Sequence, residues 1–398
     1  MTYPDSVEYL YALGNESKSL KLGLGPITKL LAALANPQKS FPSIHVAGTN
    51  GKGSTCAMIE AGLRAAGIRT GLFTSPHLVE PTERIQINGI PATSEEFLSA
   101  FHQVHAAAEE LLASGELEYH PSYFETVTAM AFLLFRARKI DLAVVEVGLG
   151  GRLDATNVLQ PEICVITAID FDHEAILGGS LELIAAEKAG ILKAGTKAVF
   201  SRQRPEADQV IRNRAAQLAI PVTSTGEGPL PIRCPLAGEH QIQNALTAVA
   251  VLQLLGIGPA GIEQTKWPGR LELVARRPDI LLDGAHNPAG ARALAAYIRQ
   301  IKSSRCVWMI YGAMRDKSVQ EITEILFPVA DKVILTAATS SRAVRPHALL
   351  PSVQHAAVQV APDVAAALAI ARTAPVDDLV VVAGSLYVVG EARALLVK

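Results

Sequence analysis

The chain is poor in cysteine, in net charge and in long apolar runs, and each shortage removes a class of protein. Its four cysteines, Cys56, Cys164, Cys234 and Cys306, stand far apart with no C-x-x-C pair, so they read as buried small hydrophobes in a reducing compartment. Lys and Arg number 36 against 38 Asp and Glu, for a formal charge of -2. With no cationic excess to displace counterions, gripping nucleic acid by bulk charge is excluded, whereas a small anion needs only a local site. The longest charge-free stretch, Gln241 to Ile262, has a short apolar part broken by Gly256, Gly258 and Pro259, which suits a buried helix and not a membrane span. The N-terminal residues lack the basic segment and apolar run of a secretory signal, so a cytoplasmic location is expected.

What is present fits a globular enzyme: 398 residues, 49% hydrophobic and 19% charged. That length exceeds one ordinary hydrophobic core, so two domains are expected. Short Val/Ile/Leu runs alternate with segments of helical period, the pattern of an α/β protein with a mainly parallel sheet. The first series predicts strands at 44–47, 70–73, 142–147, 163–169 and 198–201, with helices at 52–66, 94–113, 123–138, 181–189, 205–218 and 241–255. The alternation restarts after Trp267-Pro268-Gly269, with strands at 280–282, 307–311, 333–336 and 379–382 and helices at 289–300, 319–327 and 364–372. A Pro-Gly pair extends neither element type, so the boundary is placed near 268. This gives a P-loop-type domain over 1–268 and a smaller Rossmann-like α/β domain over 269–398.

The strand before Gly48 runs straight into Gly48-Thr49-Asn50-Gly51-Lys52-Gly53-Ser54-Thr55 and then a helix. Strand, glycine-rich loop and helix start form a cradle for a triphosphate, because glycines let backbone N–H groups converge on oxygen. Lys52 would reach the β- and γ-phosphates, and Ser54 or Thr55 the phosphates or a metal. The first glycine lies closer than in G-x-x-x-x-G-K-[ST] and Gly53 intervenes before the hydroxyl, which points away from ordinary GTPases; a glycine-rich turn with a chance lysine is the alternative.

Glu146 closes an apolar strand and enters Gly148-Leu149-Gly150-Gly151-Arg152-Leu153-Asp154. A carboxylate at the C-terminal end of a parallel strand faces the ligand crevice and can hold Mg²⁺. His173, in Asp170-Phe171-Asp172-His173, is expected just past the next strand, with a helix-capping loop histidine as the alternative. Lys188, in the last turn of its helix, reads by itself as a solvated cation favoured by the helix dipole.

Taken together and in order, these residues resemble the Mur ligase superfamily and, within it, the folylpolyglutamate synthase and dihydrofolate synthase branch. The resemblance runs through Gly48-Thr-Asn-Gly-Lys-Gly-Ser54, Thr74-Ser-Pro-His-Leu78 with Glu83-Arg-Ile-Gln-Ile-Asn-Gly89, Glu146 to Asn157, Asp172-His173, Glu187-Lys-Ala-Gly-Ile191, Gly238 to Asn244, Pro268-Gly-Arg270, Asp283-Gly-Ala-His-Asn-Pro288 and Gly384-Ser-Leu-Tyr387. It implies an ATP-dependent ligase that adds L-glutamate to a folate or dihydropteroate carboxylate through an acyl phosphate, acting as a monomer on small molecules only. Residue by residue it implies the Gly48–Thr55 loop for the ATP phosphates, and Ser75, Glu146 and His173 for two Mg²⁺ ions. It further implies a carbamylated Lys188, Asn244 at the adenine, Arg270 at the γ-phosphate and Asp283 at the ribose. His286 is the candidate proton acceptor, and Ser385 a weaker candidate near the glutamate. Phe171 departs from the family pattern. For the pterin, Phe124 and the loop 76–84 are candidates, with Phe124 as core the alternative.

The carboxylate needs activation before an amine can attack, and the work of the protein is to position and neutralise the transferring phosphoryl group. Because the loop precedes the boundary and Arg270 and Asp283 follow it, closure of the domains is expected to gate the reaction. Rival readings are a muropeptide-acting Mur ligase, expected to carry a further domain before its phosphate loop, a nucleotide-binding switch, and a kinase.

Overall fold

Residues 1–14, 23–226, 228–353 and 355–397 are described by a computed structural model. The β-branched runs become short strands, and the central parallel ones, covered by helices, are buried on both faces while the sheet edges are partly open. In chain order they are β1 (Ser43–Ala47), β2 (Thr70–Phe73), β3 (Ile85–Ile87), β4 (Ile90–Pro91), β5 (Leu142–Glu146), β6 (Ile163–Ile166), β7 (Lys197–Phe200) and β8 (Val222–Ser224). They form one sheet in the order β4-β3-β2-β5-β1-β6-β7-β8, parallel except for β3 and β4. From β1 the chain goes to one side for β2 and β5 and to the other for β6. The crevice of such a sheet opens where the order reverses, at the C-terminal ends of these strands.

A second sheet contains β9 (Glu272–Ala275), β10 (Asp279–Leu282), β11 (Val307–Tyr311), β12 (Lys332–Leu335), β13 (Val358–Val360) and β14 (Leu379–Ala383), in the order β13-β12-β11-β14-β10-β9. Only β9 is antiparallel, paired to β10. The chain thus makes two compact units: one from 1–169, 179–233 and 243–265, the other from 170–178, 234–242 and 266–398.

Local signals explain the long helices of the first unit. Thr93 and Ser122 each cap a helix while Glu96 and Glu125, three residues on, reach back to the cap; these S/T-x-x-E boxes satisfy backbone donors that a helix start leaves open. Two N-terminal helices that the pattern did not predict, Tyr3–Ala12 and Gly25–Ala33, bury Leu10, Ile27, Leu30 and Leu31 in the same core as Phe97, Phe101 and Phe132. Each such side chain contributes roughly 1.5–3 kcal/mol on burial.

The cysteine expectation holds for Cys56 and Cys164, which are buried, but Cys234 and Cys306 are partly exposed; all four are free thiols. The charge-free stretch resolves into the helix Glu239–Leu254 and a 3₁₀ turn, Pro259–Gln264. No helix among the described residues is long and apolar enough to cross a membrane.

Candidate active site

The Gly48–Thr55 loop leaves β1 at the crevice and is packed too tightly for side chains at Gly48 and Gly51. Gly48 has φ +151° and Gly51 has φ +86°, and a Cβ would collide with Thr167 Oγ1 at the first and with the Asn244 amide at the second. The amides of Thr49 and Asn50 both donate to the Ala168 carbonyl, at 2.9 and 3.1 Å, which ties the loop to the chain leaving β6. Lys52 folds back, its Nζ donating to the carbonyls of Gly48 and Thr49 at 3.1 Å each. Ser54 and Thr55 are buried in the first turn of the helix Lys52–Ala65. Asn244 therefore backs the loop at Gly51, within the first unit.

Ser75 follows β2, and Glu146, 4% exposed, ends β5. The Ser75 amide donates to Glu146 Oε2 at 3.0 Å, so these two predicted metal ligands are adjacent. Phe124 is buried against Phe73 and lies over Gly148, where a Cβ would come 2.5 Å from its ring, so it is core beneath the site.

Lys188 is not the solvated helix-end cation that its position alone suggests: it is 3% exposed, and its Nζ donates to the Gly48 carbonyl at 2.9 Å. The glycine-rich segment after Glu146 explains the difference. A Cβ on Gly151 would stand 2.7 Å from the Glu187 carbonyl, so only glycine lets the end of the helix Leu181–Ala189 approach this closely. Arg152 then binds Glu187 through its backbone N–H (2.8 Å) and its guanidinium (2.8 and 3.0 Å). Asn157 Nδ2 donates to the carbonyls of Arg152 (2.9 Å) and Gly190 (3.1 Å). Asp154 accepts the amides of Leu149 and Thr156, and Thr156 Oγ1 meets His45 Nε2 at 2.8 Å. Much of this motif is thus a clamp that brings Lys188 under the phosphate loop.

The loop 76–84 is likewise stitched from within. The Glu83 carboxylate accepts the amides of Leu78, Val79 and Glu80, and Arg84 Nε donates to His77 Nδ1 at 2.9 Å. His77 Nε2 lies 3.1 Å from the Tyr11 hydroxyl, and burial followed by the Arg84 charge lowers the imidazole to a pKa of about 3. Tyr11 stacks on Tyr123 at 5.7 Å, with Arg84 over the latter ring.

His173 follows its strand at a longer interval than expected. The strand β6 ends at Ile166, and the segment 170–178 belongs to the second unit, whereas Ser75 and Glu146 belong to the first. His173 adopts φ +52° at the start of a short helix without a side-chain cap; its Nε2 instead faces Lys317 Nζ at 3.1 Å. Lys317 also donates to Asp172 Oδ1 at 2.7 Å, and Asn287 Nδ2 to Asp172 Oδ2 at 3.1 Å. Burial opposes ionisation of Asp172, but Lys317 and the two histidines outweigh it and hold the carboxyl below its usual range.

His286 completes this cluster, with Nε2 3.8 Å from Asp172 Oδ2 and Nδ1 2.7 Å from the Gly284 carbonyl. A carbonyl only accepts, so Nδ1 carries the hydrogen and Nε2 is the basic nitrogen. Burial and then the Lys317 charge lower its pKa to about 4. Lys317, in Met314-Arg315-Asp316-Lys317, was not singled out from the sequence; an Asp-Lys pair after a strand was the only local sign.

The remaining predicted residues of the second unit shape its β10 end. Asp283, buried, accepts the amides of Leu271 (2.9 Å) and Ala285 (3.0 Å), pinning the Pro268-Gly269-Arg270 turn. Burial raises its pKa, opposed by Arg270 and His240. Arg270 lies against Gly284, where a Cβ would collide with its guanidinium. Ser385 caps the helix Leu386–Leu396, its Oγ accepting the Tyr387 amide at 3.2 Å.

Residues 46–227 match the Mur ligase middle domain and 269–386 the Mur ligase glutamate ligase domain. The chain is 38% identical over 366 residues to the dihydrofolate synthase/folylpolyglutamate synthase of Bacillus subtilis, covering 83% of this chain and 84% of that protein. It superposes on Mycobacterium tuberculosis folylpolyglutamate synthase complexed with ADP at TM-score 0.92, with 32% identity over 100% of this chain and 99% of the other. A bifunctional folylpolyglutamate synthase/dihydrofolate synthase solved with Mn, AMPPNP and L-glutamate bound gives TM-score 0.88 and 30% identity, covering 100% and 98%.

Proposed function

Since the chain belongs to the folylpolyglutamate and dihydrofolate synthase family of Mur ligases, ATP-dependent enzymes that add L-glutamate to a folate-type carboxylate, we infer that it glutamylates both dihydropteroate and reduced folates. The observation that supports the assignment of its own residues is the convergence in the first unit of the Gly48–Thr55 loop and the Ser75–Glu146 pair, at the C-terminal ends of β1, β2 and β5, with Lys188 from the helix Leu181–Ala189.

The acceptor carboxylate becomes an electrophile when ATP phosphorylates it, and the glutamate amine then displaces phosphate. Charge spreads over the transferring oxygens, so fixed cations and N–H groups do most of the work. Lys52, now resting on two carbonyls of its own loop, exchanges these neutral acceptors for phosphate oxygens, which bind an ammonium more strongly. Arg270 serves the γ-phosphate, Asn244 the adenine and Asp283 the ribose. Asp283 already accepts two amides, which leaves further lone pairs on its two oxygens for sugar hydroxyls.

Glu146 and Ser75 offer hard oxygen donors of the kind Mg²⁺ takes, and His173 is the third proposed ligand. When bound, Mg²⁺ neutralises phosphate charge. His173 can ligate through Nε2 only if Lys317 withdraws from that atom. Carbamylation of Lys188 would replace its ammonium with an anion beside the loop and provide the second ion with an oxygen donor. His286 has a pKa of about 4, so at neutral pH its Nε2 accepts a hydrogen bond from the amine better than it retains a proton. We propose that the enzyme acts in the cytoplasm as a monomer.

The deciding assay offers purified protein ATP, Mg²⁺ and labelled glutamate with dihydropteroate and tetrahydrofolate in separate reactions. Label incorporation and phosphate release are expected with each acceptor. Incorporation with one alone reduces the activity to that branch, and glutamate-independent phosphate release with neither acceptor glutamylated would leave only a nucleotide switch or kinase.

A further inference from the structure

The first unit carries a second group of metal-competent side chains, none of which belongs to the set assigned to ATP. His105 and Glu109 stand one turn apart on the helix Ser94–Ala113, and His120 lies in the segment leading to the helix Tyr123–Ala137. Nδ1 of His105 and Nε2 of His120 each lie 3.8 Å from Oε1 of Glu109, and the three donor atoms fall within 4.8 Å of one another. Both nitrogens are buried without a hydrogen-bond partner, a costly state for a polar atom.

The surroundings fix each donor. His120 Nδ1 is 2.9 Å from the Pro121 carbonyl, so it carries the hydrogen and leaves Nε2 as a lone pair aimed at Glu109; a carbonyl behind a ligating histidine commonly sets the tautomer in this way. The His105 ring stacks on Phe101 at 5.5 Å and meets the Tyr9 ring edge at 4.9 Å. Glu109, with its side chain 55% exposed, is the adjustable member. Two ligands about 2.1 Å from a tetrahedral ion stand roughly 3.4 Å apart, so binding draws the 3.8 Å histidine–carboxylate spacings inward by a few tenths of an ångström.

We propose that His105, Glu109 and His120 bind one divalent transition ion of the zinc class, with the remaining coordination position taken by water. Two imidazoles with one carboxylate favour such an ion over Mg²⁺, which prefers oxygen alone. The ion ties the chain before Tyr123 to the helix Ser94–Ala113, adding a crosslink to the apolar packing and the Arg138–Glu96 ion pair that join this helix to Tyr123–Ala137.

The test uses the full chain, stripped with EDTA and dialysed against zinc in excess Mg²⁺ so that hard-donor sites hold magnesium. Mass spectrometry of metal content is expected to show about one retained zinc equivalent, and cobalt substitution a visible ligand-field band. His120→Ala and Glu109→Gln should lose the equivalent or bind at least about tenfold more weakly, and zinc should raise the melting temperature of the wild-type chain alone. Glu109 is exposed enough for its substitution to leave folding intact, checked by circular dichroism. Equal zinc content and equal thermal response in wild type and Glu109→Gln would overturn the site and leave a His–Glu–His cluster with no metal.

Discussion

Lys52, Glu146 and Lys188 were all readable as polar residues at element ends, yet the structure gives them different characters. Lys52 is partly buried, with its ammonium on loop carbonyls, and Glu146 is nearly enclosed. Lys188 is as buried as a core residue, held to Gly48. Its ammonium therefore supports the loop directly, and removing it deletes both that bond and the site of any carbamate. Lys188→Ala is expected to lose at least about a hundredfold in kcat, a loss typical of removing one electrostatic contributor, and to regain part of it with short carboxylic acids that replace the missing anion. Wild-type activity in that variant would remove the carbamate proposal. Lys52→Ala and Glu146→Ala should abolish glutamate-dependent phosphate release while their thermal melts stay near wild type.

At the scale of elements, the segment from Glu146 to Asn157 has one job that residue types alone did not disclose: it clamps the end of the helix Leu181–Ala189. Asn157 bridges two carbonyls, of Arg152 and Gly190, on the two sides of that clamp. Its truncation leaves both acceptors without their donor in a buried setting, a loss of about 1–3 kcal/mol. Asn157→Ala should therefore lower the unfolding free energy by that amount, read as a lower urea midpoint, and raise KM for ATP, because Lys188 loses its fixed position. An unchanged KM alongside the lower midpoint would show the clamp to be structural only. The strands and long helices were legible because burial on both faces and S/T-x-x-E caps are local signals. The N-terminal helices Tyr3–Ala12 and Gly25–Ala33 were not, since a short helix carries few apolar turns and its stability comes from the core that it joins.

For the molecule as a whole, histidines enclosed to different degrees set its response to acid. His45 and His77 have folded-state pKa values of about 3, and His286 about 4, each lowered chiefly by burial from an ordinary 6.5. The unfolded chain therefore binds more protons between these values. Their stabilisation is complete above pH 6.5 and declines as pH falls through the window to the folded pKa. For His45, with no solvent exposure, the loss from pH 7 to 5 is about 2 kcal/mol. Asp172 acts lower: its depressed carboxyl contributes above the ordinary carboxylate range, and that contribution is lost as pH falls below it. Urea midpoints from pH 7 to 5 should fall in the wild type and fall less in His45→Gln; parallel slopes would remove His45 from the account. The sequence by itself determined the alternation of strand and helix, the phosphate loop and the order of family motifs, because hydrophobic period, glycine and capping chemistry act over a few residues. Only the tertiary structure decided that Lys188 is buried beneath Gly48, that Asp172 and His173 join the second unit, and that Lys317 and His286 meet them. Those outcomes depend on contacts between residues far apart in sequence, made possible where a glycine such as Gly151 admits a neighbour that no local pattern names.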